Sequence, residues 1–176
     1  LPPSDISVVN AVDAAELGVT MIEHHYGYAE SALGGNVQPF PSDYNYMNEA
    51  DRFRYAGTIW KEAPENKLFG EVVDRLVKSG VSMVPTMSAY EANRDLNRAM
   101  GLPWHENFTH AKLIDWYFPN PENHAAYHWD WTSKDEQTWS NVYRKWQRLI
   151  YEFNKRGGHL SYAVDDPYIW NTSGIA

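Results

Sequence analysis

Three times along the chain, an amphipathic helical pattern runs into glycine and then into a short apolar run. This repeat limits the fold more than any other feature of the sequence. In the first copy Val8, Val12 and Ala15 keep helical spacing, Gly18 follows, and Val19-Thr20-Met21-Ile22 reads as a strand. In the second, Phe69, Val72, Val73, Leu76 and Val77 lead to Gly80 and Val81-Ser82-Met83-Val84. The third is the clearest: Trp139, Val142, Tyr143, Trp146, Leu149, Ile150 and Phe153 form one stripe, closed by Gly157-Gly158 before Leu160-Ser161-Tyr162-Ala163-Val164. A glycine suits the left-handed residue after a helix. Near-continuous apolar strands alternating with helices are the pattern of parallel βα units. The repeat predicts an α/β fold with adjacent parallel strands near residues 19–24, 81–86 and 159–165.

The connections are asymmetric. Helix passes to strand through one or two glycines, whereas strand passes to helix over roughly 40 and roughly 50 residues, lengths that in compact domains usually serve function. Such loops would all leave the carboxyl ends of parallel strands, where α/β enzymes place their sites. They hold most of the Pro, Trp and His. The stretch 101–133, rich in Trp, His, Asn and Pro, reads as a packed, Trp-rich insert over that face rather than a linker.

Composition narrows the partners. The 176 residues carry 15 Lys+Arg against 23 Asp+Glu, a net charge of −8 that argues against nucleic acid or an anionic membrane surface. No apolar run approaches the ~18 residues of a membrane span. With no cysteine, disulfides, thiolate metal sites and cysteine nucleophiles are excluded, while the compartment stays open between cytoplasm and a periplasmic or secreted location. The opening Leu1-Pro2-Pro3 and the abrupt Gly174-Ile175-Ala176 end read as an excerpt of a longer chain.

The strand ends hold the chemistry. Glu23-His24-His25 closes the first strand and Asp165-Asp166-Pro167 the third. Alternation places Thr20, Ile22 and His24 on one face, with His25 opposite, and puts Ser161, Ala163 and Asp165 on one face of the third strand. An imidazole and a carboxylate on neighbouring strand ends are donors that Zn²⁺, Mn²⁺ or Fe²⁺ accept.

The run from Ala11 through Gly18 to Ile22-Glu23-His24 resembles the sixth-strand signature of the metal-dependent amidohydrolase superfamily, its imidazolonepropionase-like branch in particular. Val81-Ser82-Met83-Val84-Pro85-Thr86 is similar to the seventh strand, and Ala163-Val164-Asp165-Asp166-Pro167 to the eighth. The resemblance implies a partial (β/α)8 TIM barrel, strands six to eight with long βα loops, so that residues 1–176 form a fragment of one barrel domain whose remainder belongs to the same parent chain. The family's His-x-His strand, strand-four lysine and strand-five histidine have no counterpart here. Ala163-Val164 stands where Gly-Thr is usual, and His25 where glycine is common.

The resemblance further implies a hydrolase that cleaves a C–N bond in an amide, cyclic amide or peptide-like substrate. It casts His24 and Asp165 as ligands of a divalent metal, zinc foremost, with Asp165 also the proton carrier. His25, Thr86, Asp166, Trp104, Trp129 and Trp131 are candidates for the substrate pocket. By parity, Glu23 and Asp166 point away from His24 and Asp165. A different class of reading also fits: a noncatalytic carbohydrate- or peptide-binding module that grips through the Trp-rich insert. Self-association is open under either reading. His124 and His128 have the i, i+4 spacing of a helical metal pair but lack a glutamate between them and follow Pro119 and Pro121. Trp139 and Trp146, on the helical stripe, are expected in the core.

Overall fold

The three apolar runs pair as parallel strands in the computed structural model, which describes residues 10–34, 42–45, 47–124, 126–165 and 167–171. Strands β1 (Met21–Glu23), β2 (Ser82–Val84) and β3 (His159–Leu160) lie in the order β1-β2-β3. Met21 stands opposite Ser82 and Ser82 opposite His159; Ile22, Met83 and Leu160 form the next row. Each strand follows a helix, as the repeat predicts: α1 (Ala11–Glu16) before β1, a π-helical turn (Lys67–Val72) running into α4 (Val73–Ser79) before β2, and α9 (Ser133–Lys155) before β3. The stop signals also act as expected, Gly80 and Gly157 taking φ of 76° and 88°, where a side chain is disfavoured.

The expectation of a partial TIM barrel is overturned. The described residues are mostly helical, and their sheet consists of three strands only two or three residues long. The segments after the strands are not long loops. The first holds α2 (Tyr28–Leu33) and α3 (Glu49–Glu62). The second holds a 3₁₀ turn (Met87–Tyr90), α5 (Glu91–Arg94), α6 (Leu96–Met100), α7 (Trp104–Asn107), α8 (Ala111–Tyr117) and a second 3₁₀ turn (Tyr127–Asp130). A barrel needs its strands to form a continuous wall with side chains filling the interior. Here β3 is exposed on both residues, and Met21 and Leu160 are largely open to solvent.

The core lies between helices. Helix α9 runs along α3, with Trp139 against Phe53, and then along the π-turn and α4; its buried stripe of Trp139, Val142, Trp146, Leu149 and Phe153 shares one core with Phe53, Ala56 and Trp60 of α3. Gly57 permits this approach, since a Cβ there would overlap the methyl group of Thr138. The indole nitrogen of Trp139 donates to the carbonyl of Phe53 at 2.5 Å, and Lys145 donates at 2.8 Å to the carbonyl of Trp60, in the last turn of α3, where carbonyls lack a helical partner. Burying each such aromatic stabilises the fold by about 1.5–3 kcal/mol. The start of α9 is fixed where Thr132 donates its N–H to the Asp135 carboxylate at 2.8 Å. On the sheet face toward this core, Met83 is buried and Ile22 partly so. The helices thus pack on the sheet through Met83 and Ile22; the strand ends at Glu23 and Leu160 are exposed, while Val84 at the end of the central strand is buried.

Candidate functional site

Five residues other than glycine take left-handed φ among the described residues, and three of them follow the strands: His24 (64°) directly after β1, Thr86 (48°) shortly after β2 and Asp165 (56°) farther along the segment that leaves β3. Side chains disfavour this region, and residues held there cluster at functional sites. The left-handed turn also ends the alternation on which strand parity rests. His24 still makes a last ladder bond, its N–H donating to Val84 at 3.0 Å, before the chain swings away.

The imidazole of His24 is held from one side. Oγ1 of Thr86 lies 2.7 Å from Nδ1, and the hydroxyl of Tyr90 lies 3.0 Å from the same atom. The Thr86 hydroxyl donates to the carbonyl of Pro85 at 2.8 Å, which leaves its oxygen to accept from the ring. A proton on Nδ1 satisfies the Thr86 oxygen and leaves the lone pair on Nε2. Burial raises the pKa of Tyr90 well above that of a free phenol, reinforced by Tyr26, Tyr168 and Asp165, so the group beside His24 is a neutral phenol. On the far side of the ring, Nε2 stands 3.8 Å from Oε2 of Glu23, and the His24 side chain keeps 24% of its surface exposed. The sequence expectation that Glu23 points away from His24 is therefore corrected. The left-handed φ of His24 turns the ring back toward its neighbour.

Asp165 is exposed, and its charge reaches Tyr90. The carbonyl just before it, on Val164, accepts from Nδ2 of Asn171 at 2.8 Å and from Oγ of Ser88 at 3.4 Å, which fixes where the Asp165 backbone turns. Tyr90 thus contacts His24 directly and lies within the field of Asp165. Asp166 lies outside the described residues.

His25 has a different environment. It is 1% exposed, packed among the rings of Tyr26, Phe53, Tyr90, Trp139 and Trp146, and neither ring nitrogen has a hydrogen-bond partner among the described residues. Burial, with a smaller contribution from His24, lowers its pKa to about 3, so the ring is neutral. It sits beneath the helices and behind His24.

The remaining candidates separate. Thr86 contacts both His24 and a groove of about 400 Å³ lined also by Met87, Leu160 and Tyr162, with no charged residue on its walls. Trp131 packs partly buried against the core and Trp104 is half-buried, whereas Trp129 is 47% exposed on a second groove. His124 and His128 do not converge: His124 pairs with Glu49 at 3.1 Å, while His128 is buried against Asn93 at 3.1 Å. Sequence reasoning missed Tyr90. Its signal was position, since it lies four residues beyond Thr86, one turn along the segment leaving the second strand.

A metal can be tested against these donors. Nε2 of His24 is open and fixed in direction by its Nδ1 partners, the arrangement that metal-ligating histidines adopt, and a carboxylate oxygen stands at 3.8 Å, within the ~3–4.5 Å separation of two donors on one ion. The geometry suits a histidine ligand with a carboxylate beside it. Among the described residues, no three His, Asp or Glu side chains converge as a complete site. No helix among them is long and apolar enough to cross a membrane. No family model matches the chain, and neither the curated proteins nor the solved structures contain a match to it.

Proposed function

We propose that the chain carries part of the site of a metal-dependent hydrolase that cleaves a C–N bond in a small-molecule or peptide-like amide. The observation that carries this reading is the single-sided anchoring of His24: Thr86 and Tyr90 occupy Nδ1, while Nε2 faces outward beside a carboxylate. His24 would hold the ion through Nε2, with Asp165 as the second ligand and Glu23 flanking. A bound divalent ion, zinc foremost, supplies Lewis acidity and makes hydroxide accessible near neutral pH. The protein's own part is orientation and proton transfer. Thr86 and Tyr90 fix the imidazole plane and tautomer, and the Asp165 carboxylate accepts the proton of the attacking water and returns it to the leaving nitrogen. The uncharged groove beside Thr86 would receive the body of the amide. Two donors hold a divalent ion weakly, so the reading requires at least one further ligand from outside the described residues.

The test is zinc binding and amide turnover by the protein and its variants. His24→Ala should abolish both, and Asp165→Asn should abolish turnover while retaining part of the metal, because an amide oxygen still donates but does not carry the proton. Zinc affinity indifferent to His24→Ala would make the reading wrong.

A further inference from the structure

Trp129 is an exposed aromatic ring on a turn whose other three residues are held by contacts. Its neighbours on the Tyr127–Asp130 turn are fixed. Tyr127 stacks on Phe53 with ring centroids 4.1 Å apart, and its hydroxyl donates to Oδ1 of Asn93 at 2.5 Å. His128 is buried, its Nε2 3.1 Å from the same oxygen. Asp130 pairs with Arg54 of α3 at 2.6 Å. Between these anchored residues Trp129 is 47% exposed.

The ring lines a groove of about 440 Å³ between the start of α3 and the 120–124 loop, whose other walls are amide-rich. Asn45, Asn48 and Asn120 each spend the side-chain carbonyl on a local backbone N–H, of Met47 at 3.0 Å, Asp51 at 3.3 Å and Glu122 at 2.9 Å. Their NH₂ groups make no hydrogen bond among the described residues, and neither does the side chain of Asn123. The charged residues on the walls, Glu49, Glu122 and Arg52, give no excess of positive charge to attract an anion.

We infer that this groove is a binding site for a neutral oligosaccharide, with the apolar face of a pyranose ring on Trp129 and its hydroxyl oxygens accepting from the asparagine amides. A flat aromatic surface matches the C–H face of a sugar, and fixed amide donors match hydroxyls that have no charge to offer. The inference stands apart from the hydrolase reading, since the groove includes neither His24 nor Asp165.

The experiment titrates the 176-residue chain, isotopically labelled, with cellotetraose, maltotetraose and chitotetraose, following the Trp129 indole N–H and the asparagine side-chain NH₂ signals by NMR. Saturable shifts confined to these groups with at least one tetrasaccharide are expected. Trp129→Ala should weaken that binding by about tenfold or more, with Trp129→Tyr staying close to the wild type. If Trp129→Ala lowers the melting temperature, Asn123→Ala reads the same site without disturbing a packed ring, and a several-fold loss is expected. Shifts from none of the three sugars, binding unchanged by Trp129→Ala and Asn123→Ala, or saturation of the groove by neutral tetrapeptides instead would each overturn the inference.

Discussion

Thr86 holds His24 through a 2.7 Å contact between its hydroxyl oxygen and Nδ1, and both residues do so from a left-handed backbone conformation. One strand end therefore sets the direction of the side chain on the next. This pairing is separate from ligation, so it can be removed without touching a donor. Thr86→Val should lower zinc affinity by about 10–100-fold while leaving His24 in place, and Tyr90→Phe, which removes the longer of the two contacts, should cost less. Isothermal titration with zinc measures both; equal affinity for Thr86→Val and wild type would show that the contact does not orient the ring.

His25→Leu should raise stability. The imidazole is buried with both nitrogens unpartnered, and leaving such a group unsatisfied costs about 1–3 kcal/mol. Leucine is of similar volume and brings no polar atom. Urea denaturation should give a gain of about 1 kcal/mol, reduced by whatever aromatic contacts the ring now makes. A large loss instead would mean that the nitrogens have partners in solution.

His128 should make the protein acid-sensitive. Burial depresses its folded-state pKa to about 3, against 6.5 for the exposed ring, so below pH 6.5 the unfolded chain binds a proton that the folded one refuses. Stability from this group is therefore complete above pH 6.5 and is lost as pH falls from there toward 3. His128→Phe should make the stability profile shallower between pH 6.5 and 5, with the wild type steeper by up to about 1.4 kcal/mol per pH unit and the remaining slope due to His25, whose pKa burial lowers in the same way. Parallel profiles for the two proteins would show that the ring is charged or exposed when folded.

The two glycines after α9 should respond differently to alanine. Gly157 has a positive φ of 88° and open space around its missing Cβ, so Gly157→Ala should cost about 1 kcal/mol in backbone strain. At Gly158 a Cβ would overlap the ring of Phe153, which is fully buried and has nowhere to move. Gly158→Ala should cost more, about 1–3 kcal/mol, seen as the lower melting temperature of the two. The reverse order would mean that the Phe153 ring yields.

The sequence by itself determined what local periodicity encodes. The stripe Trp139 to Phe153 becomes α9, with Trp139 and Trp146 in the core, and Gly80 and Gly157 end their helices. The three apolar runs pair in parallel in chain order. These follow from side-chain spacing and from glycine's tolerance of positive φ, which act within a few residues. What lies between the strands was decided by tertiary structure. Residues 49–62 have a weaker apolar stripe than α9, with Gly57 inside it, and they become a helix because α9 offers a complementary aromatic face. That helical layer, rather than a closed barrel, buries the core. The site divides in the same way. His24, Thr86 and Asp165 are legible as strand ends, but strand parity fails at the residue where φ turns positive, so the approach of Glu23 to His24 could not be read from alternation. The part of Tyr90 is a contact between residues 66 apart in sequence, and its position one turn beyond Thr86 places it near the strand end without showing that it meets His24. Period and turn chemistry are properties of neighbours in the chain. The direction of His24 is a property of what packs against it.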